Sequence, residues 1–341
     1  DNTIGWVANK VASLFAWLLG VAAIMLDYVV FYTVIKMGDF VHNVANIGVA
    51  WRILRDLGNI ALIFGFIMSG IAVIVNSSAF GFGSKMLPRL LVAAVFLNFS
   101  LFISEAVIDV GNLFATEIYT QINNGKAPTS ESMKGSFLTS VSNEGISNKI
   151  MSVLGLANLY QQGAGSVDPK SGKAVPGTIA GSGLNDSGPW YIGFMAIILF
   201  MIAAFVFFSL AFVLVARFVA LIFLIIVAPL GFAGLAIPKL SHLANQWWGM
   251  LFEQTITAPV LLLLLYVALA VITDTNFFAC AGTSCEWAKG AVLGVYKGNI
   301  PNFANLLLSF LIAMGLLLAV VVIAKRMGAA GGAFATKMGG K

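Results

Sequence analysis

Charge is what this chain has least of. Charged residues make up 10% of its 341 residues, against about 25% in a typical soluble domain. Hydrophobic residues make up 60%, and the mean hydropathy is +0.95. So few charged groups cannot cover a globular surface in water, and lipid must therefore cover much of it. The composition excludes an ordinary soluble fold and predicts an all-α, polytopic transmembrane helical bundle.

Histidine and cysteine are also scarce. His42 and His242 lie far apart in the sequence, and the two cysteines, Cys280 and Cys285, are separated by four residues. That separation is not the spacing of zinc or redox motifs, so we predict no metal site. Either the two thiols form a disulfide in an oxidising compartment, or both remain free.

Motifs that carry catalytic chemistry are missing as well. The sequence has no phosphate-binding Gly-rich loop with a lysine, no nucleophile elbow and no paired catalytic acids in a soluble domain. We therefore expect neither an enzyme nor a bound cofactor. The net charge of +5 comes from basic residues in ones and twos, such as Lys85 and Arg89 or Lys325 and Arg326. Such residues are typical of helix ends, and no dedicated nucleic-acid patch is predicted.

Long apolar runs are what the sequence has in abundance. About 20 apolar residues in a helix suffice to cross a hydrocarbon core of roughly 30 Å. The runs define an N-terminal membrane region (1–115), a polar Ser/Gly-rich extramembrane loop (116–189) and a C-terminal membrane region (190–341). We expect about six or seven membrane segments. The predicted spans are 11–35, 57–75, 90–114, 190–216, 218–237, 255–272 and 303–324.

Two stretches depart from a simple spanning pattern. Residues 40–56 repeat apolar side chains every three or four positions, which predicts an amphipathic helix at the membrane interface or against the bundle. Residues 190–237 carry a single charge, Arg217, over 48 positions, too many for one span. They form either two spans or one span and a re-entrant piece. A break in the helix is favoured by one proline and two glycines, namely Pro229, Gly231 and Gly234.

Basic residues predict the orientation. Lys325 and Arg326 favour a cytoplasmic C-terminus, because positively charged ends stay on that side. The loop at 273–302 then lies outside. If residues 190–237 form one span and a re-entrant piece, the polar loop 116–189 is also outside, and this arrangement fits the charge rule better. If residues 190–237 form two full spans, the polar loop 116–189 lies in the cytoplasm instead. The side on which the N-terminus lies is not predicted.

Polar side chains inside the predicted spans are the candidate functional residues. An ionisable group at membrane depth costs about 3 kcal/mol or more unless it is paired or hydrated, so it marks a site or a pathway. The candidates are Asp27, Asn98, Glu105, Asp109 and Arg217. The alternative is that some of them lie at helix ends, close to the headgroups. Three tryptophans are predicted to be interface anchors: Trp190, Trp247 and Trp248.

One segment resembles a known family. Residues 217–248 begin with a basic residue and continue in a long apolar run, which includes VAPLGFAGLAIP (227–238) and is followed by LANQWWGMLFEQ (243–254). This pattern resembles the core of the TrbL-type polytopic inner-membrane subunits of bacterial type IV secretion and conjugation systems. The resemblance is best over residues 190–324. The polar loop 116–189 is similar to the central extracytoplasmic loop of that family.

The resemblance implies a non-enzymatic subunit of a bacterial inner membrane. Such a subunit would form a homo-oligomer at the base of a translocation channel, contact other membrane and extracytoplasmic subunits, and touch the DNA or protein substrate transiently. Two other functions stay open: a secondary transporter or ion channel that uses the intramembrane carboxylates, and a structural or assembly factor of the cell envelope. The sequence shows no evident internal repeat, which counts against a transporter.

Overall fold

The computed structural model describes residues 2–75, 86–123, 125–126, 146, 190–237, 240–273, 311–312 and 314–324. Within these ranges the regular structure is helical and contains no strand. The predicted all-α class is therefore confirmed. Three predicted features lie outside the described residues: the cysteines Cys280 and Cys285, the basic pair Lys325 and Arg326, and most of the polar loop 116–189.

The described helices are numbered in chain order. They are α1 (Asn2–Val30), α2 (Met37–Asn43), α3 (Ala45–Ile74), α4 (Met86–Asn98), α5 (Ser100–Ile122), α6 (Trp190–Ala236), α7 (Ser241–Thr273) and α8 (Met314–Ala324). A π-helical segment, Phe31–Ile35, follows α1.

Four described segments are long and apolar enough to cross a membrane: Trp17–Ile35, Asn46–Ile74, Ile197–Ala236 and Ser241–Val271. The pair α4 and α5 passes the same test together, which brings the number to five. The predicted count of six or seven is therefore approximate. Within the described part of the predicted span 303–324, the structure has the helix α8. This helix is apolar but too short to cross a membrane alone.

Two helices join segments that the sequence pattern separates. The pattern predicts an amphipathic helix (40–56) and then a span (57–75), whereas α3 runs without a break from Ala45 to Ile74. In the same way, α7 begins at Ser241, ahead of the predicted span 255–272. A change in side-chain polarity alters what a helix packs against, but it leaves the backbone hydrogen bonds intact. In α3 and α7, the change in side-chain polarity therefore does not coincide with a helix end.

The helix α6 is 47 residues long and continues through both Arg217 and Pro229. The structure thus corrects the predicted boundary at Arg217 and the predicted break near Pro229. At 1.5 Å per residue α6 is about 70 Å long, more than twice a hydrocarbon core of roughly 30 Å. One membrane crossing accounts for only part of this helix.

The chain bends between α4 and α5 instead. These helices meet at Phe99 with an angle of 68°, although the apolar pattern predicts one span over 90–114. Polar side chains on both sides of the bend make hydrogen bonds, one within α4 and one to α3. Asn98 Nδ2 donates to the carbonyl of Ala94 at 2.8 Å, and Ser100 Oγ accepts the indole N–H of Trp51 at 3.0 Å. The bond of Asn98 to a carbonyl of its own helix competes with the helical ladder and favours a bend.

The chain forms two compact units. The first unit contains Asp1–Phe31, Ala115–Val213 and Leu261–Ile323, and the second unit contains the remaining residues. In the second unit, α3 and α4 pack through two glycines. A side chain at Gly58 would approach Leu97 Cδ1 to 2.7 Å, and one at Gly65 would approach Leu90 Cδ2 to 2.9 Å. Small residues at this spacing let two antiparallel helices pack closely, as is common in membranes.

Candidate functional site

The second unit buries one arginine. Arg217, in α6, is 1% exposed. Its Nε donates to the backbone carbonyl of Gln254 at 2.6 Å, and its Nη2 donates to Asn112 Oδ1 at 2.8 Å. Both acceptors are electrically neutral. The third guanidinium nitrogen, Nη1, is buried and has no hydrogen-bond partner among the described residues.

Asn112 and its neighbour Gly111 set the distance between α5 and α7. A side chain at Gly111 would overlap Thr255 Cγ2 and come within 2.8 Å of the Thr255 carbonyl oxygen. Only glycine therefore allows α5 to approach α7 this closely at the level of the guanidinium. The amide Nδ2 of Asn112 lies 3.5 Å from Met37 Sδ in α2. Side chains or backbone of α2, α5, α6 and α7 thus meet around Arg217.

The carbonyl of Gln254 lies in the turn before a proline, next to the carbonyl of Thr255, which loses its helical donor. Pro259 lies inside α7, five residues after Gln254, and Pro229 lies inside α6, five residues after Leu224. Proline removes a backbone N–H, and its ring pushes against the preceding turn, which frees carbonyl groups there. The Leu224 carbonyl accepts the indole N–H of Trp247 at 2.9 Å. In both helices a side chain from another helix binds the turn before the proline.

Trp247 is held in this position by glycine. A side chain at Gly231 would overlap the Trp247 ring, and one at Gly234 would come within 2.7 Å of both Ala244 Cβ and the Leu240 carbonyl. The two glycines therefore serve close packing between α6 and α7, and they do not break α6. Trp247 is 4% exposed, which corrects its predicted role as an interface anchor.

Trp247 is part of an aromatic cluster in the second unit. Its ring centroid lies 5.5 Å from that of Phe232 and 4.9 Å from that of the half-buried Trp248. The third predicted anchor, Trp190, begins α6, and its side chain lies outside the described residues. The segment that carries the family resemblance is thus a packed corner between α6 and α7.

The first unit buries a carboxylate. Asp27, in α1, is 2% exposed, and its Oδ1 accepts the hydroxyl of Tyr119 at 2.9 Å and the backbone N–H of Ile146 at 2.8 Å. Tyr119 lies on α5 and is buried. Ile146 belongs to the predicted extramembrane loop, yet it is 0% exposed. At least this residue of the polar loop therefore packs into the first unit.

The hydrogen bonds described for Asp27 and Arg217 do not involve the other predicted polar residues. Asn98 is exposed and bonds to its own helix, Glu105 is half-buried and Asp109 is exposed on α5. The hydrogen bonds of Arg217 go to Asn112 and Gln254 and to none of these three. In the parts of the chain that the structure describes, no three His, Cys, Asp or Glu side chains are grouped to hold a metal ion.

Sequence reasoning missed Asn112, Tyr119 and Thr255, although α5 carries a signal for the first two. Its buried positions recur every three or four residues: Ser104, Ile108, Asn112, Ala115, Tyr119 and Ile122. Polar side chains in register with such an apolar stripe must find partners in the interior. No comparable sequence pattern pointed to the hydroxyl of Thr255. It is buried and has no hydrogen-bond partner among the described residues.

Searches against protein-family models, curated proteins and solved structures find no match to this chain. The fold and the apolar helices define the class directly: the chain is a multi-pass α-helical membrane protein. Its two buried charges, Asp27 and Arg217, are the centres of the two polar sites that the structure describes.

Proposed function

We propose that the chain is a non-enzymatic subunit of a type IV secretion or conjugation-type translocation channel in a bacterial inner membrane. One observation carries this proposal: the polar loop is attached to a membrane helix. Ile146 is buried and donates its backbone N–H to Asp27 of α1. A loop held in this way takes its position from the membrane helices. A channel base needs such a loop in order to contact stalk or pilus subunits at a fixed place.

The same contact weighs against a transporter that uses intramembrane carboxylates. A carboxylate that takes up and releases a proton or an ion needs partners that exchange. Asp27 Oδ1 accepts hydrogen bonds from two groups of the chain itself, Tyr119 and Ile146. Glu105 and Asp109 lie off the buried face of α5. The geometry therefore favours a structural role for Asp27 over a place in an ion pathway.

The surface of α3 supports assembly into an oligomer. Most of its apolar side chains are exposed in the single chain, including Ile53, Phe64 and Ile74. Such a face must be covered by lipid or by neighbouring subunits. A closed homo-oligomeric ring is the usual arrangement for a membrane channel subunit. In the proposed assembly, part of this face contacts other copies or other membrane subunits.

The proposal is tested by purifying the tagged full chain from its native membranes in a mild detergent. Mass spectrometry then identifies the proteins that come with it. We expect secretion ATPases and extracytoplasmic stalk or pilus proteins. Recovery of a monomer or a homo-oligomer alone would contradict the proposal and favour the transporter.

A pair of variants makes this test specific to the loop. Asp27→Asn weakens the attachment of Ile146, whereas Asp56→Asn changes an exposed carboxylate on α3. We expect Asp27→Asn to lose extracytoplasmic partners while it keeps membrane partners, and Asp56→Asn to keep both. In proteoliposomes, a small-ion flux that Asp27→Asn abolishes would support the transporter instead.

A further inference from the structure

Among the described residues, the guanidinium of Arg217 lacks one hydrogen-bond acceptor and is paired with no carboxylate. Its Nε and Nη2 bind neutral oxygens, and its buried Nη1 has no partner among the described residues. The ion pairs within the described part of the chain, Lys36 with Asp39 and Arg55 with Asp56, do not include it. A buried cation without an anion is strongly destabilising, because the interior does not replace the hydration that the charge loses. The site therefore calls for an anion.

A second unsatisfied group belongs to the residue that follows Gln254 in α7. Thr255 follows Gln254, the residue whose carbonyl binds Arg217, and the hydroxyl of Thr255 is also buried without a described partner. A guanidinium N–H and a hydroxyl are the donors that phosphate oxygens accept. A buried water molecule could accept these hydrogen bonds, but it would leave the positive charge uncompensated.

The place of Arg217 along α6 indicates where the anion comes from. The residue lies 27 positions after Trp190 and 19 positions before Ala236. These separations correspond to about 40 Å and 28 Å along the helix, close to the thickness of a bilayer with and without its headgroups. If either of these two stretches of α6 crosses the membrane, Arg217 lies near a level at which lipid phosphates lie.

We propose that Arg217 binds the phosphate group of an anionic phospholipid, with Nη1 and the Thr255 hydroxyl as donors. The side chain is 1% exposed, so the phosphate enters only when neighbouring helices move. The bound lipid is therefore expected to exchange slowly and to survive purification in mild detergent. This site does not depend on the secretion role proposed above.

The test uses the full chain, delipidated in a neutral detergent. Three probes are added separately: dioleoylphosphatidylglycerol, inorganic phosphate, and dioleoylglycerol, which has the same tails without phosphate. The readouts are the midpoint of thermal unfolding and the lipid retained in native mass spectrometry. We expect phosphatidylglycerol to raise the midpoint and one molecule to remain per chain, and dioleoylglycerol to do neither. An equal effect of inorganic phosphate would assign the site to soluble phosphate rather than to lipid.

Matched substitutions connect the effect to Arg217. Arg217→Gln removes the charge, and Arg52→Gln makes the same change at an exposed position of α3. The concentration of phosphatidylglycerol for half-maximal stabilisation should rise about tenfold or more in Arg217→Gln, the usual effect of losing a charge-assisted hydrogen bond. It should not change in Arg52→Gln.

Asn112→Asp tests whether Arg217 binds the phosphate even when Arg217→Gln fails to fold. The new carboxylate oxygen would take the place of Asn112 Oδ1, 2.8 Å from Nη2, and supply the missing charge within the chain. We expect this variant to be more stable than the wild type without lipid and to respond at least tenfold less to phosphatidylglycerol.

Three results would overturn the proposal. One is a folded wild-type chain that responds to neither phosphate source. Another is a phosphatidylglycerol effect of the same size in the wild type and in Asn112→Asp. The third is a wild-type chain stabilised only when it assembles with partner subunits, which would assign the anion to a carboxylate of a partner.

Discussion

Asp27 in the first unit and Arg217 in the second unit are both single charges buried in long apolar helices. The carboxylate of Asp27 accepts two hydrogen bonds from donors of the same chain. The guanidinium of Arg217 donates to two neutral acceptors and keeps one buried nitrogen without a described partner. The first site provides donors to its charge from within the chain, whereas the second leaves part of its charge uncompensated.

This difference separates two roles that look the same in a sequence. A lone charge in an apolar run is a functional candidate in either case. When the chain itself provides partners, as Tyr119 and Ile146 do, the charge holds segments of the chain together. When a buried donor remains without a described partner, as Nη1 of Arg217 does, the charge attracts a ligand. The partners of a buried charge therefore say more about its role than its depth does.

The largest effect should come from removing the carboxylate of Asp27. Asp27→Ala leaves the Tyr119 hydroxyl and the Ile146 N–H buried without this acceptor, and we expect a loss of about 4 kcal/mol in the free energy of unfolding. Asp27→Asn keeps an oxygen acceptor and should lose about half as much. The control is Asp56→Ala on the exposed face of α3, with a change of about 0.5 kcal/mol or less.

Thermal unfolding in detergent measures these free energies, and limited proteolysis reports on the polar loop. We expect cleavage within 116–189 to become faster in Asp27→Ala than in Asp56→Ala. Equal stability and equal cleavage in the two variants would mean that Ile146 does not attach the loop to α1.

A smaller effect is expected where the second site depends on close helix packing. Gly111→Ala forces a methyl group against Thr255, and it should destabilise the chain by about 2 kcal/mol without changing any charge. Gly70→Ala is the matched control, because nothing lies within 4 Å of the added methyl group. That change should stabilise α3 by up to about 1 kcal/mol. If thermal unfolding showed that both variants change the free energy of unfolding in the same direction, the close approach of α5 to α7 would be contradicted.

The fold class followed from the sequence for a simple physical reason. Unpaired backbone groups are too costly in lipid, so long apolar runs can only be helices once barrels are set aside. The ends of the helices did not follow. Hydropathy reports the surroundings of a side chain, and α6 continues past the charge of Arg217 without ending. The bend at Phe99 is flanked by hydrogen bonds of Asn98 and Ser100, which an apolar pattern does not record.

The two charged centres were also visible in the sequence, but their partners were not. Ile146 is 119 residues from Asp27, and Asn112 is 105 residues from Arg217. No local pattern links residues so far apart. The continuation of α6 through Pro229 was missed for a related reason. The indole N–H of Trp247, which lies on α7, binds the Leu224 carbonyl in the turn before the proline, and the sequence around Pro229 does not show this contact.

The smallest predicted effect tests this account of Pro229. Trp247→Phe removes the hydrogen bond to the Leu224 carbonyl, and we expect a loss of about 1 kcal/mol beyond the packing lost with the smaller ring. Trp248→Phe is the control, because its indole N–H has no partner among the described residues. The two substitutions remove the same atoms, and only Trp247→Phe also removes a described hydrogen bond, so we expect the larger loss in thermal unfolding from Trp247→Phe.

The same pair can be measured in a Pro229→Ala background. Alanine restores an N–H for the carbonyl of Ile225, next to Leu224, and removes the ring that pushes against this turn. The turn then depends less on Trp247, and the loss caused by Trp247→Phe should shrink. A coupling of at least about 0.5 kcal/mol between positions 229 and 247 is expected. If the two changes are additive, the continuity of α6 does not rest on Trp247. The backbone of α6 would then accommodate the proline without help from Trp247.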